Sequence, residues 1–310
     1  MTNSIEKYTG ELFGGLWQNL TDEQFRSSVE LFTNRAIENK FDLSWIKGKS
    51  CLDAGCGSGR YSVALSMHNA KTIQAIDISK SGIEEAKIRC KKFENISFLN
   101  CSLLNLPFKD EKYDFVWSAG VIHHTTDFEK ALSELTRVLK IDGKIFLLVY
   151  GAGGLRWKII KSLRPIISDL GQSFLSKAID DAGFPENNKK HFMDDFFVPI
   201  QTLTRYDDLK SKLKDLGYQN IKRWVGKTYD HEENVEAQYK DIEKIEKIFR
   251  SCVRNSNNHE EKYLSNLSLK ITKSYLDCFR KITEDTNSNK DIIDHLILGE
   301  KNIRVVAEKK

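Results

Sequence analysis

The sequence predicts an α/β fold, a mostly parallel sheet with helices on both faces, and three observations predict it. Between Lys49 and Lys144 short apolar runs alternate with stretches of helical periodicity, the pattern of buried strands joined by crossover helices. The first run, KSCLDAG, passes directly into a glycine-rich turn and then a helix. Two further runs, NIKRWVG and NIRVVAEKK, appear after long interruptions and bring the strands to seven.

Each element follows from its residues. Residues 1–47 read as a helical cap: Leu12, Leu16, Trp17, Leu20, Phe25, Val29 and Phe32 recur at helical spacing, and Thr21 is placed to cap, with Glu23 and Gln24 close behind. Residues 48–150 form the core, with strands KSCLDAG, TIQAIDI, ISFLNCS, YDFVWSAG and KIFLLVYG and helices over 60–69, 80–93 and 127–140. Across 151–204 the regularity breaks into a basic amphipathic stretch, LRWKIIKSLRPII, a polar stretch rich in Asp, Asn and Lys, and MDDFFVPIQTL. Residues 205–226 resume the core with a helix ended by Gly217 and the strand NIKRWVG, and 302–310 add the last strand. The stretch 227–301 is helical in pattern and too long for a loop, so it reads as an insertion that caps the site or dimerises the protein.

Composition narrows the function classes. The chain has 310 residues, 40% hydrophobic and 30% charged, with four prolines and no tract of one residue type, which excludes a disordered or fibrous chain. Its 48 basic and 44 acidic residues leave a net charge of +4, spread along the chain, so no dedicated nucleic-acid surface is expected. A small-molecule partner, acidic ones included, fits better. Cys51, Cys56, Cys90, Cys101, Cys252 and Cys278 form no C-x-x-C pair and no zinc-type spacing, so no metal is expected and the thiols read as reduced and cytoplasmic. The start, MTNSIEKYTGELFGG, lacks the features of a signal peptide. The longest apolar run, Ile145 to Tyr150, falls far short of the roughly 18 residues of a membrane span.

The sharpest motif is Asp53-Ala54-Gly55-Cys56-Gly57-Ser58-Gly59. A nicotinamide fingerprint would place a third glycine where Arg60 stands. An acid two residues before a G-x-G-x-G loop would repel a pyrophosphate and suits a ligand with a cationic group. Asp77 ends the second strand, where a carboxylate accepts both hydroxyls of a ribose. Adenosine carrying a cationic amino-acid tail satisfies both acids, and S-adenosylmethionine (SAM) is such a molecule.

The segments LDAGCGSGRYS, AIDIS and LLNLPFKDEKYDFVWSAGVIHHTTDFEKALSELTRVLKIDGKIFLLVYG resemble the class I SAM-dependent methyltransferase superfamily, on its small-molecule branch of quinone, sugar and other metabolite enzymes. The resemblance covers 48–150, resumes at 205–226 and 302–308, and says little about 151–204 and 227–301. It implies a Rossmann-like sheet whose last strand runs antiparallel, with SAM as cofactor and S-adenosylhomocysteine as product. By resemblance the cofactor-binding residues are Asp53, Gly55, Gly57, Gly59, Asp77, Ile78, Ser102 and Leu103. Relatives often carry an acid near the adenine amine where this chain has Ser102, whose hydroxyl can both donate and accept.

Methyl transfer to a hydroxyl needs an in-line approach and a base. His123 and His124 follow the fourth strand, at the edge where open α/β sheets bind ligands, and related sugar methyltransferases use such a pair as acid and base. Either could instead be a packing residue. Tyr150, ending the fifth strand, could face the pocket or be an edge aromatic. In the family topology both long insertions leave the carboxyl edge, so they are expected to roof the site. On a helical plot of 155–167, Leu155, Ile159, Ile160, Leu163, Ile166 and Ile167 face one way and Lys158, Lys161 and Arg164 the other, with Pro165 expected to kink or end the helix. The basic side is a solvated face, a contact for an acidic substrate, or a peripheral contact with a membrane. Arg156 falls inside the apolar arc, which makes it a candidate substrate ligand for an anion.

The function this predicts is methyl transfer from SAM to oxygen or nitrogen of a small metabolite. Two alternatives keep the cofactor: methylation of a macromolecule, and a SAM-binding scaffold without catalysis.

Overall fold

The apolar runs form strands β1 (Ser50–Ala54), β2 (Thr72–Asp77), β3 (Ile96–Asn100), β4 (Tyr113–Ala119), β5 (Leu139–Tyr150), β6 (Tyr218–Trp224) and β7 (Asn302–Lys309) in the computed structural model, which describes residues 4–16, 20–225, 235–284 and 289–310. They make one seven-stranded sheet in the order β3-β2-β1-β4-β5-β7-β6. The strands β1 to β5 pair in parallel, while β7 runs antiparallel to both β5 and β6. The carboxyl ends of β1 to β5 therefore share one edge. Trp17, Gly226 and residues 227–234 and 285–288 of the helical insertion lie outside the described residues.

Helices α1 (Ser4–Leu16), α2 (Asp22–Glu38), α3 (Arg60–Met67), α4 (Lys80–Cys90) and α5 (Phe128–Val138) precede β5. Between β5 and β6 come α6 (Gly154–Leu170), α7 (Gln172–Asp181), α8 (Glu186–Phe197) and α9 (Tyr206–Asp215), and between β6 and β7 come α10 (Val235–Asn255), α11 (His259–Glu284) and α12 (Lys290–Leu298). Thr21 caps α2 in a full capping box, its hydroxyl accepting from the Gln24 amide while the Gln24 side chain accepts from the Thr21 amide.

Alternation along each strand sorts two hydrophobic layers, one on each face of the sheet. Leu52, Val116, Ile145 and Leu147 pack with Leu132 and Leu135 of α5 and Leu209 and Leu213 of α9. Cys51, Phe115, Trp117 and Phe146 pack with Phe32 of α2 and Leu65 of α3. There Trp117 and Phe146 lie face to face with centroids 3.7 Å apart.

The chain divides into two compact units, residues 1–150, 199–228 and 302–310 in one and 151–198 and 229–301 in the other. The first holds the whole sheet. The second is helical, and the polar stretch of 151–204 is itself folded there: α7 buries Leu175, Ala178 and Ile179, and Phe192, Met193 and Phe196 of α8 are buried. The helix α6 runs through Pro165 to Leu170. Proline forfeits the hydrogen bond to residue 161, and burial of Ile159, Ile160, Leu163 and Ile167 along one side offsets it. Among the described residues no helix is long and apolar enough to cross a membrane.

The boundary that moves furthest from the sequence reading lies between α5 and β5. The helix expected over 127–140 ends at Val138, and β5 begins at Leu139, which pairs with Tyr113 ahead of a register shift. Asp142 has a φ of 59°, and this left-handed residue marks where the early part of β5 departs from regular extended backbone.

Candidate functional site

The turn after β1 is built by its glycines. Gly55, Gly57 and Gly59 have φ of 86°, 50° and 85°. The amides of Gly55 and Cys56 both donate to the Ile76 carbonyl of β2, which anchors the loop to the neighbouring strand. A Cβ on Gly55 would stand 2.3 Å from Val121, and one on Gly59 2.6 Å from Cys90 Sγ, so these two glycines serve close packing. A Cβ on Gly57 would meet nothing within 4 Å. The middle of the loop thus borders open space that a ligand can approach.

Both acids lie at this loop. Asp53 is 1% exposed, and Ser62 at the start of α3 donates to its Oδ2 at 2.6 Å. Burial lifts its pKa to about 7, opposed by the Ser62 hydrogen bond, reinforced by the charge of Asp77 and opposed again by Arg60. Asp77 accepts from the Gly57 amide on Oδ2 and from the Ser79 amide on Oδ1, each at 2.8 Å. Burial raises its pKa against the pull of these amides. One carboxylate therefore fixes the glycine loop and the turn into α4 together.

Past β3, the Ser102 hydroxyl donates to Glu6 Oε2 and accepts from the Leu104 amide, both at 3.2 Å. Leu103 is buried in the layer with Leu52 and Leu106. Ile78 is partly exposed and lies under α1, where a Cβ on Gly10 would come within 2.8 Å of its Cγ2. A cavity of about 900 Å³ opens beside Ile78, Ser79, Asn100 and Ser102, with Lys7 and Glu11 of α1 on its rim.

The histidines lie in a single 3-10 turn, Ile122–His124, directly after β4. Both are buried. His124 Nδ1 lies 2.8 Å from the Ile200 carbonyl, and since a carbonyl only accepts, Nδ1 carries the proton and Nε2 the lone pair in the neutral ring. Neither ring nitrogen of His123 has a partner among the described residues. Burial, with the neighbouring His124 adding to it, holds the His123 pKa well below the usual histidine range. Tyr150 closes the group, its ring 4.1 Å from that of His123 and 5.4 Å from that of His124. Phe13 of α1 packs on His124 at 4.8 Å.

The structure brings Asp53, the three glycines, Asp77, Ile78, Ser102, both histidines and Tyr150 to the carboxyl ends of successive strands. Arg156 belongs to the second unit, where it pairs with Asp195 and lies over the Trp157 ring at 5.1 Å. Arg164, placed by periodicity on the solvated side, instead donates to the carbonyls of Asp195 and Val198. Sequence reasoning passed over Glu6, Phe13 and Thr126. The available signal was the helical spacing of Glu6, Gly10 and Phe13 along one side of α1. Among the described residues no group of three or more His, Cys, Asp or Glu could hold a metal ion.

Residues 52–147 match the family described as Methyltransferase domain. The chain is 32% identical over 109 residues to the demethylmenaquinone methyltransferase of Staphylococcus aureus strain MRSA252, a match covering 34% of this chain and 45% of that protein. The chain thus spans less than half the length of the curated relatives it matches. Phosphoethanolamine N-methyltransferase 2 of Haemonchus contortus, solved in complex with S-adenosyl-L-methionine, shares the fold with a TM-score of 0.50 at 17% identity, over 99% of this chain and 60% of that one.

Proposed function

The core of this chain belongs to the class I SAM-dependent methyltransferase superfamily, and from that premise we propose that the protein transfers a methyl group from SAM to an oxygen or nitrogen of a small metabolite. The observation that carries the reading is the open side of Gly57 beside the Asp77 carboxylate, on the edge that also bears the histidine pair. A cofactor that presents a ribose diol and a cationic amino-acid tail fits this donor and acceptor set. Asp77 would accept the ribose hydroxyls, and the loop of Gly55, Gly57 and Gly59 would admit the tail close to the backbone. Asp53 would favour its positive charge through space. Ile78 would lie against the base, with Ser102 and the backbone of Leu103 at its rim.

When bound, SAM supplies an electrophilic methyl group on a sulfonium. The protein then has to orient the acceptor and remove its proton. His124 is the better base of the pair. The Ile200 carbonyl fixes its tautomer so that Nε2 carries the lone pair, as a general base requires. His123 stays neutral and packs between His124 and Tyr150, so its role is to hold the ring and offer a neutral donor or acceptor. The even charge balance supports a small acceptor over a nucleic acid, and six free cysteines support a cytoplasmic setting.

The test is incubation with methyl-labelled SAM and a metabolite extract. Label should enter a low-mass product, and where that product is an ether, His124→Gln should cut turnover by about 10²–10⁴-fold with cofactor affinity nearly unchanged. Label confined to protein or nucleic acid, or none transferred, would reject the reading.

A further inference from the structure

Glu6 stands in the first turn of α1 and is 6% exposed. Its Oε2 accepts from Ser102 at 3.2 Å and its Oε1 from Thr126 at 3.3 Å. Among the described residues no lysine or arginine pairs with it. The helix dipole accounts for an acid in a first turn, but not for one turned inward and buried. A carboxylate offers about four lone-pair positions, and two hydroxyls at long range use only two of them. Burial of an acid so lightly held is costly unless a further donor completes it.

That donor can be located. The two hydroxyls that hold Glu6 come from the segment following β3, the strand that pairs with β2 where Asp77 stands, and from the segment following β4, which lies beyond β1. Neighbouring strands are about 4.8 Å apart, so the β3 end, paired with Asp77 through Asn100, lies within reach of a base whose ribose sits on Asp77. Ser102 has given its hydrogen to Glu6 and one of its two lone pairs to Leu104, so the stronger acceptor at this point is the Glu6 carboxylate.

The helix that carries Glu6 is pressed onto the same edge. A Cβ on Gly10 would lie 2.8 Å from Ile78 Cγ2 and 3.3 Å from the Ser79 amide nitrogen, and one on Gly14 would lie 2.2 Å from Ser79 Oγ. Phe13, further along that side of α1, meets His124. Small residues thus let α1 lie against the turn after β2, with Glu6 at the base end and Phe13 at the histidine end.

We propose that Glu6 reads the 6-amino group of the cofactor's base, making an N-terminal helix residue a determinant of cofactor specificity. This rests on the SAM reading above. An ionised carboxylate accepts from an amino group and repels a carbonyl, so a 6-amino purine is bound and a 6-oxo purine rejected. Ser102 and Thr126 orient the acid for that contact.

The experiment is calorimetry with S-adenosylhomocysteine and its 6-oxo counterpart, S-inosylhomocysteine, on the wild-type chain and on Glu6→Gln. The wild type should prefer the amino ligand by at least about tenfold. The glutamine amide both donates and accepts, so in Glu6→Gln the preference should collapse to within about twofold or reverse. Equal binding of the two ligands by the wild type would overturn the proposal without any variant. An unchanged ratio in a folded Glu6→Gln would also overturn the role of Glu6 while leaving the SAM reading intact. Wild type that binds neither ligand would overturn both.

Discussion

Asp53 and Asp77 are both acids with raised pKa, yet they are built for different work. Asp77 is tied by two amides and holds two turns in place, whereas Asp53 is sealed under the loop with one hydroxyl partner. Because the folded pKa of Asp53, about 7, lies above that of an unfolded aspartate, its stabilising contribution is complete at low pH and is lost as pH rises through about 7. A cationic ligand favours the ionised form. SAM binding near pH 6 should therefore release a proton, and affinity should climb by up to about tenfold per pH unit towards pH 7 and then level off. Calorimetry at pH 6 in two buffers of different ionisation enthalpy measures that release, and Asp53→Asn should abolish it. Both acids and all three glycines were readable in the sequence, because the chemistry of the loop is local and contiguous. Glu6 was not, because its partners Ser102 and Thr126 lie far along the chain and only the fold brings them together.

At the scale of elements, the strands were read well because parallel strands covered on both faces are continuous apolar runs. Pro165 and the polar stretch of 172–197 were harder to read. Their helices are secured by buried residues such as Leu163, Leu175 and Phe196, and tertiary packing outweighed local propensity. The helix α1 tests the same balance between propensity and packing. Replacing Gly10 by leucine gains up to about 1 kcal/mol of helix propensity. It also drives a side chain into Ile78 and the Ser79 backbone, an overpacking worth about 1–3 kcal/mol. Gly10→Leu should thus leave the melting temperature of the protein close to wild type while weakening S-adenosylhomocysteine binding by about tenfold or more. Unaltered affinity would show that α1 does not contribute to the cofactor site.

Across the whole molecule, every proposed cofactor contact falls in the unit of residues 1–150, 199–228 and 302–310, while 151–198 and 229–301 form a helical unit of their own. The strands of the first unit were readable from sequence because their motifs follow one another in strand order. The second carries ordinary amphipathic helices, in which Arg156 and Arg164 are engaged by Asp195 and by backbone carbonyls, and such patterns specify packing without specifying an acceptor. The claim on which the rest depends is that the sheet edge at Gly57 and Asp77 holds SAM. Calorimetric titration of SAM into the wild-type chain and into Asp77→Ala, with circular dichroism confirming that the variant is folded, tests it most directly. We expect one site on the wild type and at least about tenfold weaker binding in the variant, from loss of a charged hydrogen-bond acceptor. Absence of SAM binding by the wild type, or equal affinity in a folded Asp77→Ala, would contradict it.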